Sequence, residues 1–206
     1  MENVIDCKNE VFLQGEVLNE PQFSHESFGQ KFYTFDVRIP RLSGTYDVLP
    51  IISPKYLCDV YGIHENGKIS LGGQFRSFNK VIDEIKSQLV LNVFLKDVYE
   101  YEDNKNSNVI ELSGYICKQP IYRKTPFGRE ITDFMLAVNR KTGRADHLPC
   151  IAWGNNARLL SKLVVSNYIS CLGRVQSRDY TKVLEDGTNV VKTAYEVSIN
   201  DIITIK

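Results

Sequence analysis

The sequence predicts an all-β protein built as two small closed barrels in tandem, each of five strands with a short helix between its third and fourth strands. Three observations lead there. The chain repeats itself at an offset of about 99 residues. Each copy holds short stretches in which apolar and polar residues alternate. Glycines interrupt the first and fourth of those stretches, where a small closed sheet has to bend.

The repeat is the most specific of the three. Asn9 meets Asn108, Leu13 meets Leu112, Gly15 meets Gly114 and Pro21 meets Pro120. Phe28-Gly29 meets Phe127-Gly128, and Phe35 meets Phe134. Arg41, Gly44 and Asp47 meet Arg140, Gly143 and Asp146, and Leu49-Pro50 meets Leu148-Pro149. That is about 12 identities in about 42 positions. After a one-residue shift, Ile69-Ser70 and Gly73 meet Ile169-Ser170 and Gly173. Two copies of one domain are therefore expected, at 1–100 and 108–206. A polar linker at 101–107 joins them.

In the second copy, 109–116 alternates as a strand with one buried face, and Pro120 closes it. The basic stretch Tyr122-Arg123-Lys124-Thr125-Pro126-Phe127-Gly128-Arg129 reads as a turn-prone loop. Strand two is 131–139, with Phe134, Leu136 and Val138 inward. A basic turn leads into strand three, which ends at Trp153. A helical stripe of Ala157, Leu160 and Leu163 occupies 155–163. Strand four is 168–177, 179–188 reads as a polar loop containing Asp186-Gly187, and strand five is 190–199. The first copy gives strands near 11–17, 32–39, 48–53, 68–77 and 88–98, with its helical piece at 55–61. This order is that of the oligonucleotide-binding barrel, the OB-fold.

Composition sets the function classes. At 206 residues, with 43% hydrophobic and 24% charged, the chain is ordinary for a globular protein. No apolar run approaches the roughly 20 residues that span a bilayer, and the first residues do not read as a secretion signal. The five cysteines are widely spaced and the three histidines scattered, so reduced cysteines, a cytoplasmic setting and no metal site are expected. No P-loop, GxSxG, HExxH or paired Cys–His spacing is present, and neither enzymatic activity nor a cofactor is expected. The net charge of zero hides an asymmetry. Residues 1–104 carry 10 Lys+Arg against 16 Asp+Glu; residues 105–206 carry 15 against 9. A basic half points to a polyanion partner.

The stretch that carries the chemistry is 139–154. His147, Pro149, Ile151 and Trp153 fall on one face of its strand, with Arg140, Lys141 and Arg144 in the turn before it. Unpaired nucleic acid requires cations for its phosphates and flat rings for its bases. Alone, the same stretch reads as a hairpin turn leading into a half-buried strand.

Over 108–202 the second copy resembles the bacterial single-stranded DNA-binding protein family. The resemblance rests on Leu112-Ser113-Gly114, Pro120, Asn139-Arg140-Lys141, Cys150-Ile151-Ala152-Trp153-Gly154, Gly173-Arg174, Ser177-Arg178-Asp179-Tyr180 and Asp186-Gly187. It implies an OB-fold that binds single-stranded DNA without sequence preference, in replication, repair or recombination. It also implies a homodimer with four OB-folds, and a cytoplasmic, nucleoid-associated place. By resemblance, Trp153, His147 and Tyr180 are base-stacking residues, and Arg140, Lys141, Arg144, Arg174 and Arg178 contact the backbone. The basic loop adds Arg123, Lys124, Phe127 and Arg129. The family's acidic-tipped tail does not follow Ile202-Ile203-Thr204-Ile205-Lys206, which suggests a specialised role with replication or primosome proteins as partners.

The first copy departs from this set. Its equivalents of His147, Trp153, Lys141 and Arg144 are Val48, Pro54, Leu42 and Thr45, so a structural or assembly role is expected for it. Phe32, Tyr33 and Phe78 are its remaining candidates for stacking. Two other readings stay open at this point: a protein–protein adaptor of the primosome-accessory kind, and an RNA-binding OB protein.

Overall fold

The structure, a computed structural model, describes residues 7–81, 87–103, 108–184 and 187–206. Eleven strands and two short helices follow in order: β1 (Asn9–Val17), β2 (Gln22–Ser27), β3 (Gln30–Pro40), β4 (Tyr46–Pro54), α1 (Lys55–Tyr61), β5 (Lys68–Val81), β6 (Ser87–Tyr99), β7 (Asn108–Lys124), β8 (Glu130–Asn139), β9 (Ala145–Trp153), α2 (Gly154–Leu160), β10 (Tyr168–Val183) and β11 (Asn189–Ile205).

Each half closes on itself. In the second, β7 pairs with β8, β8 with β9, β9 with β11 in parallel, β11 with β10, and β10 with β7 again. The first repeats this circuit with β1, β3, β4, β6 and β5. These are the two five-stranded barrels expected, each with its helix after the third barrel strand. Phe134, Leu136 and Val138 point inward to meet Ile110, Leu112, Leu148 and Val197.

The barrel glycines have a steric reason. A Cβ on Gly114 would sit 2.3 Å from the carbonyl oxygen of Ala137, and one on Gly173 would sit 2.4 Å from that of Ser198. Real Cβ atoms essentially never come that close to another heavy atom. Two strands therefore cross at backbone contact, and only glycine permits it.

Four sequence expectations change. A strand at Gln22–Ser27 in the first half was not expected; its counterpart is the far end of β7, which runs to Lys124. The basic stretch 122–129 is thus strand up to Lys124, and only its second part is a turn. The stretch 179–188 is strand as well over 179–183. β10 and β11 continue their antiparallel register out to Val183 and Asn189, forming a two-stranded arm beyond the barrel. The second helix ends at Leu160, not at 163, although Leu163 still packs on the core. Of the linker 101–107, positions 104–107 lie outside the described residues, as does Asp186. The start of the linker is anchored. Gln14 and Glu102 exchange two hydrogen bonds of 3.3 and 3.1 Å, and Lys68 reaches Asp103 at 3.2 Å.

The two barrels are continuous. β1 pairs antiparallel with β7 from Asn9 opposite Leu112 to Leu13 opposite Asn108, so all eleven strands form one sheet. The contact is pseudo-symmetric, because matched residues do matched work. The Asn9 side chain donates to Phe75 O at 2.7 Å and accepts from Phe75 N at 2.9 Å. Asn108 makes the same pair of bonds to Val175 at 2.7 and 2.9 Å.

A second matched contact ties each arm to the opposite barrel. Asp146 is 1% exposed and accepts from Arg140 Nε at 2.8 Å and from the Ser77 N–H at 2.7 Å. Arg140 also donates to Ser77 O at 3.0 Å. In mirror fashion, fully buried Asp47 accepts from Arg41 Nε at 2.8 Å and from the Ser177 N–H at 2.7 Å, while Arg41 donates to Ser177 O at 2.9 Å. The repeated Arg, Gly and Asp of the β3–β4 and β8–β9 turns are there to grip a serine of the other half.

Candidate nucleic-acid interface

The second barrel presents two basic–aromatic clusters joined by one strand face. β9 alternates as expected, with His147 and Trp153 outward and Leu148, Cys150 and Ala152 buried. Pro149 is half-buried, but Ile151 is 5% exposed and so belongs to the covered surface. Six residues separate His147 from Trp153, a span of about 20 Å at a strand's rise of roughly 3.3 Å per residue. Opposite this face, β8 places half-buried Ala137, Met135 and Asp133, and buried Ile131 beside Trp153.

The His147 end carries the β8–β9 turn. Its hydrogen bonds, Arg140 N to Arg144 O at 2.7 Å and Gly143 N to Arg140 O at 3.1 Å, close a short loop with Gly143 at φ 79°. That left-handed position suits glycine. Lys141 and Arg144 project from this turn and are exposed. Arg140 does not join them, because its guanidinium is committed to Asp146 and Ser77. Asp146 is a buried anchor between the barrels.

The Trp153 end lies beside the β7–β8 turn, since Trp153 pairs with Ile131. Trp153 is 39% exposed and Phe127, at the tip of that turn, is 93% exposed. Lys124 and Arg129 are exposed there, while Arg123 donates to Asp133 at 2.6 Å. Tyr122, with its hydroxyl on Glu130 at 2.5 Å, and Arg158, with Nε on Glu130 at 2.6 Å, complete this end. Those two bonds hold the Glu130 carboxyl below its usual range, with the Arg158 bond the larger cause.

The arm supplies a third surface. Arg178, Tyr180 and Lys182 alternate along β10 and so share a face. Lys192 on β11 stands directly opposite Tyr180. Arg178, Tyr180 and Lys182 are exposed and Lys192 is half-buried. Arg174, at the arm's base, turns inward to Asp47 at 3.3 Å and Gln176 at 2.9 Å. Burial pulls its guanidinium down from the usual range, and Asp47 opposes that shift. Sequence reasoning missed Lys182, Lys192, Tyr122 and Arg158. The signal for Lys182 was the Arg178-x-Tyr180-x-Lys182 spacing, which is a strand's period.

The two halves use their rings differently. In the first barrel, His25 stacks on Phe32 at 4.9 Å between centroids, Phe32 meets Phe94 at 5.9 Å, and Arg76 lies over Phe94 at 3.7 Å. Phe32 is buried and Tyr33 packs edge-on against Phe23, whereas Phe78 is 46% exposed. Trp153, His147, Phe127 and Tyr180 take part in none of the ring contacts among the described residues. Phe127 is 93% exposed, Tyr180 40% and Trp153 39%, and His147 is exposed as well. Among the described residues no group of His, Cys, Asp and Glu is placed to hold a metal, and no helix is long and apolar enough to cross a membrane.

Comparison with known proteins falls on this half. Residues 107–205 match the model of the single-strand binding protein family. Single-stranded DNA-binding protein 3 of Listeria innocua is 34% identical over 93 residues, which are 42% of this chain and 57% of that protein. Single-stranded DNA-binding protein A of Bacillus subtilis is 32% identical over 80 residues, 35% of this chain and 46% of that one. The chain thus spans about half the length of these curated relatives. Among solved structures, the wild-type single-stranded DNA binding protein from Thermus aquaticus superposes with a TM-score of 0.75 at 18% identity, covering 96% of this chain and 93% of that one. At that identity the likeness establishes the fold, and it extends over both barrels. The match to the single-strand binding protein family thus spans the second barrel, and the likeness in fold spans both.

Proposed function

We propose that this chain binds single-stranded DNA without reading base sequence, and that the second barrel does the binding. The observation that carries the reading is the outward pair His147 and Trp153 on β9, each beside exposed cations, together with the Arg178, Tyr180 and Lys182 face of the arm. Rings with open faces take unpaired bases at about 1–3 kcal/mol each, and cations take the phosphates between them. Trp153, His147, Tyr180 and Phe127 are the stacking residues. Lys141, Arg144, Arg178, Lys124 and Arg129 are the phosphate contacts, and Arg123 follows when it leaves Asp133. Arg140 and Arg174 are positioning residues, since their guanidinium groups serve protein carboxylates. The first barrel, acidic and with His25, Phe32 and Phe94 packed on one another, is structural.

The same proposal includes a cytoplasmic, nucleoid-associated role in DNA replication, repair or recombination, with replication or primosome proteins as further partners. It also includes a homodimer that brings four barrels together, which light scattering of the full chain tests by its mass.

Titrating oligo-dT while following the fluorescence of Trp153, the only tryptophan, tests the binding at several salt concentrations. Strong quenching is expected, weakening as salt rises. Replacing Trp153 with Ala should cost about 1–3 kcal/mol of affinity when binding is followed by anisotropy of a labelled oligonucleotide. Absence of quenching in the folded protein would overturn the reading and favour the adaptor, with Trp153 meeting a protein. Equal or tighter binding of oligo-U would favour the RNA reading.

A further inference from the structure

We propose that Ser77, a residue of the first barrel, positions the nucleic-acid site of the second. The inference rests on the reading that Lys141, Arg144 and His147 contact single-stranded DNA. β9 is paired with β8 along its whole length, from Asn139 opposite Ala145 to Ile131 opposite Trp153. On its other side, β11 joins only at Cys150, Ile151 and Ala152. The segment 145–149, which carries His147 and follows directly on the basic turn, therefore has one edge that its own barrel leaves uncovered. A strand edge with unbonded N–H groups is a loose platform.

Ser77 covers that edge with all three of its polar groups. Its Oγ accepts from the His147 N–H at 2.7 Å. Its N–H donates to Asp146 at 2.7 Å, and its carbonyl accepts from Arg140 at 3.0 Å. Residues 140, 146 and 147 bracket the turn that holds Lys141 and Arg144, so the first barrel fixes both ends of that turn. Ser77 is 7% exposed and stays away from the open faces. Its part is to hold the cations and the imidazole where a DNA strand meets them, so that less freedom is lost on binding.

The pseudo-symmetry of the chain supplies a control. Ser177 makes the mirror contacts, with its Oγ accepting from the Val48 N–H at 3.0 Å. The turn it fixes carries Leu42 and Thr45 in place of Lys141 and Arg144. If both serines only join the barrels, S77A and S177A behave alike. If Ser77 positions the site, they differ in one quantity, the affinity for DNA.

The experiment uses the full chain, with wild type, S77A, S177A and S77T compared in oligo-dT binding across salt and in thermal unfolding. Loss of one hydrogen bond that holds a contact in place is expected to weaken binding by about fivefold in S77A. The salt slope should stay that of wild type, because the same phosphates are still met. S177A should lower the melting temperature about as much as S77A while keeping wild-type affinity, and S77T, which retains the Oγ, should restore both. Equal affinities in S77A and S177A would overturn the proposal. In the wild-type protein, the amide hydrogen of His147 should exchange slowly despite its edge position, a measurement that does not depend on a variant folding; rapid exchange would likewise overturn it. Failure of wild type to bind oligo-dT would remove the single-stranded DNA reading itself, a result distinct from either of these.

Discussion

Replacing Lys141 and Arg144 together with alanine isolates the electrostatic part of the site. Both side chains are exposed, and neither joins an ion pair among the described residues, so the melting temperature should barely move. Their loss should appear in the salt dependence. Binding to a single strand falls with salt at a log–log slope of about −0.7 per phosphate neutralised. Two lost contacts make the slope shallower by about 1.4. Between 50 and 200 mM salt, the ratio of wild-type to variant affinity should then shrink by about sevenfold. Trp153 quenching by oligo-dT reads both proteins, because Trp153 lies nine residues, about 30 Å of strand, beyond Arg144. Two parallel lines on the log–log plot, whatever their vertical offset, would mean that these cations meet no phosphate and that the basic turn serves another purpose.

Three further outcomes follow from the geometry. Gly173→Ala places a methyl group 2.4 Å from the Ser198 carbonyl and should lower unfolding stability in urea by about 2 kcal/mol or more. Asp146→Ala leaves the Arg140 guanidinium and the Ser77 N–H without their acceptor. A fully buried pair broken this way costs about 3–5 kcal/mol; with the Arg140 side chain still 23% exposed, about 2–3 kcal/mol is expected by urea denaturation. Burial, with the Glu111 carboxylate adding to it, pushes the Cys171 thiol up to about 12, and burial pushes Cys150 well above its usual range. A raised thiol stays protonated as pH rises, so at pH 8 both should resist iodoacetamide in the native chain and react after unfolding, as peptide mass spectrometry would show.

The order of strands and helices is legible in the sequence because its causes are local. Gly114 and Gly173 announce close strand crossings, and the inward run Phe134, Leu136, Val138 announces a half-buried strand. The arm is not legible for an equally physical reason. A two-stranded ribbon with solvent on both faces has no apolar period, so Arg178, Tyr180 and Lys182 read as a polar loop although their spacing is that of a strand. At the site, rings and turn cations can be named from their positions on β9, but cations that meet phosphate and cations that meet carboxylate are the same residues. Arg140 and Arg144 differ only in that Asp146 and Ser77 await the first. The repeat holds the clue. Arg41 and Asp47 survive in the half whose turn has lost its other cations, as residues needed by both halves should. Lys141, Arg144, His147 and Trp153 occur in one half alone, and they are the residues to which the proposed function gives DNA contacts.

The pairing of β1 with β7 puts the contact between two like subunits inside a single polypeptide. Residues joined by a short connector face each other at an effective concentration of millimolar order, so dilution does not separate them. A symmetric dimer of separate chains must accept every substitution twice, once on each side of its axis. Here each substitution is felt once. The two halves can therefore differ, with Pro54, Leu42 and Thr45 in one where the other has Trp153, Lys141 and Arg144. Joined in one chain, the two sides of the contact are free to carry different side chains.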